Sequence, residues 1–115
     1  MEPIHFRNVI IINAQPMASN ITSVQFATEP DINEEVSYSV QATWTGSPVG
    51  TLKLQASNNI ALLGWTDITS SVVAVNGPGT YLINIERHAY SFVQMVYVAT
   101  SGSGTLSAVY NSKRD

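Results

Sequence analysis

Polar and apolar residues alternate along most of this chain with a period of two, the spacing at which successive side chains of a β-strand point to opposite faces. The clearest case runs from Glu35 to Trp44, where Val36, Tyr38, Val40, Ala42 and Trp44 share one face with Ser, Gln and Thr between them. Thr51 to Ser57 alternates in the same way around Leu52, Leu54 and Ala56. Ile21 to Ala27 carries apolar residues on both sides, so its facing stays open. Ser71 to Val75, Thr80 to Ile85 and Thr105 to Tyr110 read as further strands, and His5 to Asn13 adds one with the apolar run Val9-Ile10-Ile11-Ile12. Tyr90 to Val98 is apolar on both faces, as a central strand requires. No stretch of about a dozen residues places apolar positions at helical spacing between a cap and a stop.

Gly, Pro and Ser punctuate these strands. Thr45-Gly46-Ser47-Pro48-Val49-Gly50 reads as a hairpin loop, and Asn76-Gly77-Pro78-Gly79 as a turn. Ser101-Gly102-Ser103-Gly104 lies between two β-favouring segments, which predicts that the last two strands pair as an antiparallel hairpin. The whole predicts an all-β fold, an antiparallel β-sandwich of jelly-roll-like form with about eight strands. Residues 1–115 read as a single domain, in which 1–15 is either a docking arm or an edge strand.

Composition narrows the function. The net charge of −3 comes from only five basic and eight acidic residues, so no basic patch suited to a nucleic-acid backbone can form. Charged residues make up 11% of the chain, against about a quarter in an average soluble domain. Ser, Thr, Asn and Gln take their place, and strand edges with few Lys residues are poorly defended against pairing. A symmetric oligomer would cover such edges. The absence of cysteine excludes disulfides and thiolate chemistry. No signal-peptide pattern or membrane-length apolar stretch is visible, so no membrane partner is expected.

The candidate chemistry is sparse. His5 and His88 are the only imidazoles and have no metal-ligand spacing, so both read as surface or loop residues. The stretch Glu29-Pro30-Asp31-Ile32-Asn33-Glu34-Glu35 collects hard oxygens but lacks the order and the glycine of a calcium loop, and it reads as a solvated loop. No nucleophile elbow, phosphate loop or dinucleotide motif occurs; no enzyme activity, cofactor or metal is expected. Trp44 belongs to the apolar face of its strand. Trp65 either caps one end of the core or stacks a sugar, with Asn58, Asn59 and Asp67 beside it and Arg87 and His88 in a neighbouring loop. The Asn20-Ile21-Thr22 sequon would matter only in a eukaryotic secretory setting.

Val40 to Asn58, Trp65-Thr66-Asp67-Ile68, Gly79-Thr80-Tyr81 and Val93 to Leu106 together resemble a module of small phage structural proteins, with similar segments in bacterial fibre tips. The resemblance spans roughly residues 36–113 and resides in strands and turns. Where such modules continue Asp-Gly before the Trp, this chain has Asn59-Ile60-Ala61-Leu62-Leu63-Gly64. The resemblance implies a non-enzymatic virion component: a capsid decoration or spike subunit, or a small tail protein. Its expected partners are other virion proteins and further copies of itself, with a trimer favoured. The alternative is a lectin-like, receptor- or glycan-binding tip.

Overall fold

A computed structural model describes residues 5–27, 36–58, 64–85 and 92–114. Within these residues the alternating segments form ten strands: β1 (His5–Pro16), β2 (Ile21–Thr22), β3 (Phe26–Ala27), β4 (Val36–Gly46), β5 (Val49–Ser57), β6 (Thr66–Asp67), β7 (Val73–Asn76), β8 (Gly79–Ile85), β9 (Phe92–Ser101) and β10 (Gly104–Arg114). Among the described residues the only helical element is the three-residue 3₁₀ turn Thr69–Ser71.

All pairings are antiparallel. One sheet has the order β1-β10-β4-β8; the other has β2 and β3 on one side of β9, and β6 and β7 on the far side of β5. Counting β2 with β3 and β6 with β7 as interrupted single strands leaves eight, in the order 1-8-3-6 over 2-7-4-5. Only the step from β5 to β6 stays within its sheet. This is the connectivity of a jelly roll, in which successive strands cross the sandwich.

The alternation builds the core. Val40, Ala42 and Trp44 of β4 and Leu106, Ala108 and Tyr110 of β10 point inward from the four-stranded sheet. They meet Leu52, Leu54 and Ala56 of β5 and Val93, Met95 and Tyr97 of β9. Burying one large aliphatic side chain contributes roughly 1.5–3 kcal/mol, so this interior dominates the stability. β1 contributes two adjacent residues, Ile11 and Ile12, because its ladder with β10 slips between Ile10 and Ile12.

The two predicted hairpins are corrected. β9 and β10 lie in different sheets, as do β4 and β5, and neither pair shares a ladder. A tight turn reverses the chain but does not choose the plane of reversal. Here each turn leaves the plane, so Met95 and Tyr97 end up facing Leu106 and Ala108 across the interior. Both geometries satisfy the same alternation. The turns gather at one end of the sandwich and bond to one another. Met17 donates to the Gly104 carbonyl at 2.8 Å, Ser47 to Ser103 at 2.9 Å and Gly77 to Pro48 at 3.0 Å. Gly102 has φ +78°, and a Cβ there would stand 2.1 Å from the Ser47 carbonyl oxygen, so only glycine fits this corner. Trp44 closes the same end by donating its indole N–H to the Gly77 carbonyl at 2.7 Å.

The stretch Ile21 to Ala27 is not a continuous strand. It breaks between β2 and β3, which explains why its alternation gave no facing. The predicted strand at Ser71 to Val75 begins two residues later, and Ser71 belongs to the 3₁₀ turn.

Candidate functional site

Two serines stand where the edges of the six-stranded sheet are interrupted. At the gap between β2 and β3, the buried Ser23 hydroxyl accepts the Met95 backbone N–H at 2.8 Å and donates to the Val24 carbonyl at 2.8 Å. At the gap before β7, the fully buried Ser71 hydroxyl accepts the Leu54 N–H at 2.8 Å and lies within hydrogen-bond reach of the Leu54 and Ile68 carbonyls. Each side chain thus replaces a rung that its broken edge cannot supply, and no buried N–H of the two central strands is orphaned there. Tyr81 of β8 donates to the Ser71 carbonyl at 2.7 Å, tying the two sheets together on that side; burial raises the pKa of this phenol.

The outer face of the same sheet carries a directed chain of side-chain bonds. Gln25 donates to Gln94 at 3.3 Å, Gln94 to Gln55 at 2.8 Å, and Gln55 to the Asp67 carboxylate at 2.9 Å, where Lys53 also arrives at 3.0 Å. Every amide donates in the same direction toward one anion, an arrangement in which each bond polarises the next. The Gln55 amide first, and then Lys53, hold the Asp67 pKa below its ordinary value. Among the side chains described, Lys53 and Asp67 are the only charged ones, and they neutralise each other.

The outer face of the four-stranded sheet differs. Its middle row, aligned by the ladders, reads Ile10, Val109, Gln41, Leu82, and the rows beside it hold Asn, Ser and Thr. Ile10 is 62% and Leu82 64% exposed. Arg7, Lys113 and Arg114 fall in the rows where β1 begins and β10 ends, away from the turns.

The predicted binding residues come together only in part. Asn58 and Asp67 line a shallow depression of about 290 Å³ with Ser57, Gly64 and Thr66, while Trp65 is half-buried and is not among its lining residues. Asp67 is already engaged by Lys53 and Gln55. Asn59, Arg87 and His88, and the acidic stretch 29–35, lie outside the described residues. A second cleft, of about 530 Å³, runs between β1 and β2 and is lined by uncharged residues including Ile10, Ile12, Gln15 and Ile21. Among the described residues no three His, Asp or Glu side chains gather as a metal site would need.

No protein-family model matches the sequence, and no curated protein matches it significantly. The likeness to known proteins lies in the fold. XepA, a PBSX exported protein, superposes with a TM-score of 0.62 at 14% identity over 93% of this chain and 36% of its own. The SPBc2 prophage-derived protein YomS gives 0.54 at 10% identity, with 96% of each chain covered. A chain of infectious bursal disease virus, Gt strain, gives 0.57 at 11% identity over 94% of this chain and 32% of its own. The chain therefore matches nearly the whole of YomS and about a third of XepA and of the viral chain.

The sequence pointed to loops for recognition; among the described residues the side-chain networks lie on sheet faces and edges. The serine stitches and the amide chain carry no local motif, because their partners are distant along the chain. Ser23 and Met95, for example, are 72 positions apart.

Proposed function

We propose that this chain is a non-enzymatic structural protein of a bacteriophage virion, a capsid decoration or spike subunit or a small tail component, working through protein–protein assembly contacts. The observation that carries the reading is the outer face of the four-stranded sheet, where two exposed aliphatic residues stand in a row free of charge. Such a face is poorly suited to holding ions or phosphorylated substrates and well suited to dehydrated contact with another protein surface. The shared fold with a prophage-derived protein and with a viral chain supports the same reading. The glycan-tip alternative gains nothing specific, since the one carboxylate of its depression is engaged and Trp65 does not line it.

The test is the composition of particles. Virions purified from a host carrying this gene, washed at high salt and quantified by mass spectrometry, should contain the chain in fixed ratio to the major capsid protein. Its presence only in the unassembled fraction would refute the reading.

A further inference from the structure

The sandwich has four edges, and three of them are protected against pairing. The β2/β3 and β6/β7 edges are interrupted and stitched by Ser23 and Ser71. The β1 edge slips register twice, places Ala14 at φ 48° and ends at Pro16, which has no N–H to offer. Bulges, short strands and prolines are the devices by which sheets avoid edge-to-edge contact. The β8 edge has none of them. Its ladder with β4 is continuous from Tyr38 opposite Ile85 to Trp44 opposite Gly79, and among the described residues no strand covers its other side. Its seven residues, Gly-Thr-Tyr-Leu-Ile-Asn-Ile, contain no charge and no proline.

We propose that the β8 edge pairs with the β8 edge of a second copy of this chain, antiparallel and about a two-fold axis through Leu82, so that two four-stranded sheets become one of eight. Leu82 is the central residue of β8. Pairing about it sets Leu82 opposite Leu82, Tyr81 opposite Ile83 and Thr80 opposite Asn84, and covers the most exposed aliphatic side chain of that face with its own counterpart. Charge favours a second copy over a charged partner. The chain is net acidic, at −3, yet this strand offers neither repulsion to a copy of itself nor a counter-charge to anything else. An antiparallel edge is also self-complementary in its backbone donors and acceptors, which an isologous two-fold contact requires.

The paired length is about 24 Å, so the buried area falls short of the roughly 1,200 Å² of a standard interface. The isolated dimer should accordingly be weak, and many copies held on one surface would reinforce it. The inference deepens the assembly reading by naming its contact, and it replaces the expected three-fold arrangement with a two-fold one.

Light scattering on the purified chain at up to about 100 µM, between the micromolar and millimolar ranges of weak affinity, should show a mass rising from 12.4 kDa toward twice that value. Leu82→Lys should weaken the dimer at least tenfold with unchanged melting temperature, and Ile10→Lys on the β1 edge should leave it intact. Leu82→Cys, in a chain with no other cysteine, should form a disulfide-linked dimer on oxidation. A monomer throughout the range, a trimer, or open-ended polymers abolished by Ile10→Lys would each overturn β8 self-pairing. The particle measurement is independent: incorporation of a chain that stays monomeric removes this contact but keeps the virion role, and a dimer missing from particles does the reverse.

Discussion

The two sheets share a core but differ in how they treat everything outside it. The six-stranded sheet completes itself. Serine hydroxyls fill its broken edges, and its outer face is spanned by amides that end on an internally neutralised ion pair. The four-stranded sheet has straight ladders in β4 and β8, central outer rows without charge and one unprotected edge. Polar residues are abundant on both faces, so polarity alone does not distinguish them. What differs is that the amides of the six-stranded sheet run to one carboxylate, whereas on the four-stranded sheet Ile10 and Leu82 stand exposed in the middle row. A joined network stabilises the monomer, whereas exposed aliphatics leave a surface that a partner can desolvate.

The largest expected difference lies in the serines. Ser71→Ala leaves the buried Leu54 N–H without its acceptor, and an orphaned buried donor costs ~1–3 kcal/mol. The analogous change in the four-stranded sheet is Ser107→Ala, where the exposed hydroxyl accepts the Ala14 N–H at 3.1 Å and water can take its place. That substitution should stay within about 0.5 kcal/mol. Chemical denaturation of both variants checks the contrast, and equal losses would erase the distinction between stitched and open edges.

The amide chain gives an intermediate effect. Gln94→Leu removes its middle member and should cost about 1 kcal/mol, the net value of a typical hydrogen bond. The same chain predicts an acid limb. Because the folded pKa of Asp67 is depressed, its contribution is fully present above the unfolded value of about 3.9 and is lost as pH falls through the lower folded value. Asp67→Asn should flatten the pH dependence of stability in that window, read by denaturant midpoints. Unchanged acid sensitivity would show that the carboxylate is not the sink of the chain. No matching effect is expected from Gln41→Leu, which has no such network around it in the four-stranded sheet.

These contrasts also mark what the sequence made legible. The inward faces of β4 and β5 followed from alternation alone, since burying alternate side chains is what a half-buried strand is. The β-sandwich of about eight strands was legible in the number and spacing of strands. The plane of each turn was not, because Ser101-Gly102-Ser103-Gly104 suits a hairpin and an inter-sheet corner equally well. What decides between them is the approach of Gly102 to Ser47, 55 positions earlier. Trp44 was placed in the core by its strand face. Trp65 followed a loop, had no periodicity to place it, and proved half-buried. The sparse charge had suggested open edges, but which edge was open depended on tertiary pairings at Ser23 and Ser71.

The smallest effect concerns the one buried side-chain polar atom that, among the described residues, the six-stranded sheet leaves unserved. Tyr97 of β9 is fully buried, and its hydroxyl has no hydrogen-bond partner among the described residues. Burial alone raises the pKa of this phenol. The ring ends over Gly50, where an added Cβ would lie 2.7 Å from the hydroxyl oxygen, so the missing side chain of β5 makes room for the ring without offering it an acceptor. Removing the hydroxyl keeps the packing and deletes an unpaired dipole. Tyr97→Phe should therefore be neutral or stabilising by up to about 1 kcal/mol, opposite in sign to Ser71→Ala, which orphans an N–H of the neighbouring strand β5. Thermal and denaturant unfolding of the two variants side by side checks the sign. A loss of stability in Tyr97→Phe would mean that this hydroxyl is satisfied after all, and that the six-stranded sheet is closed at every buried side-chain polar atom among the described residues.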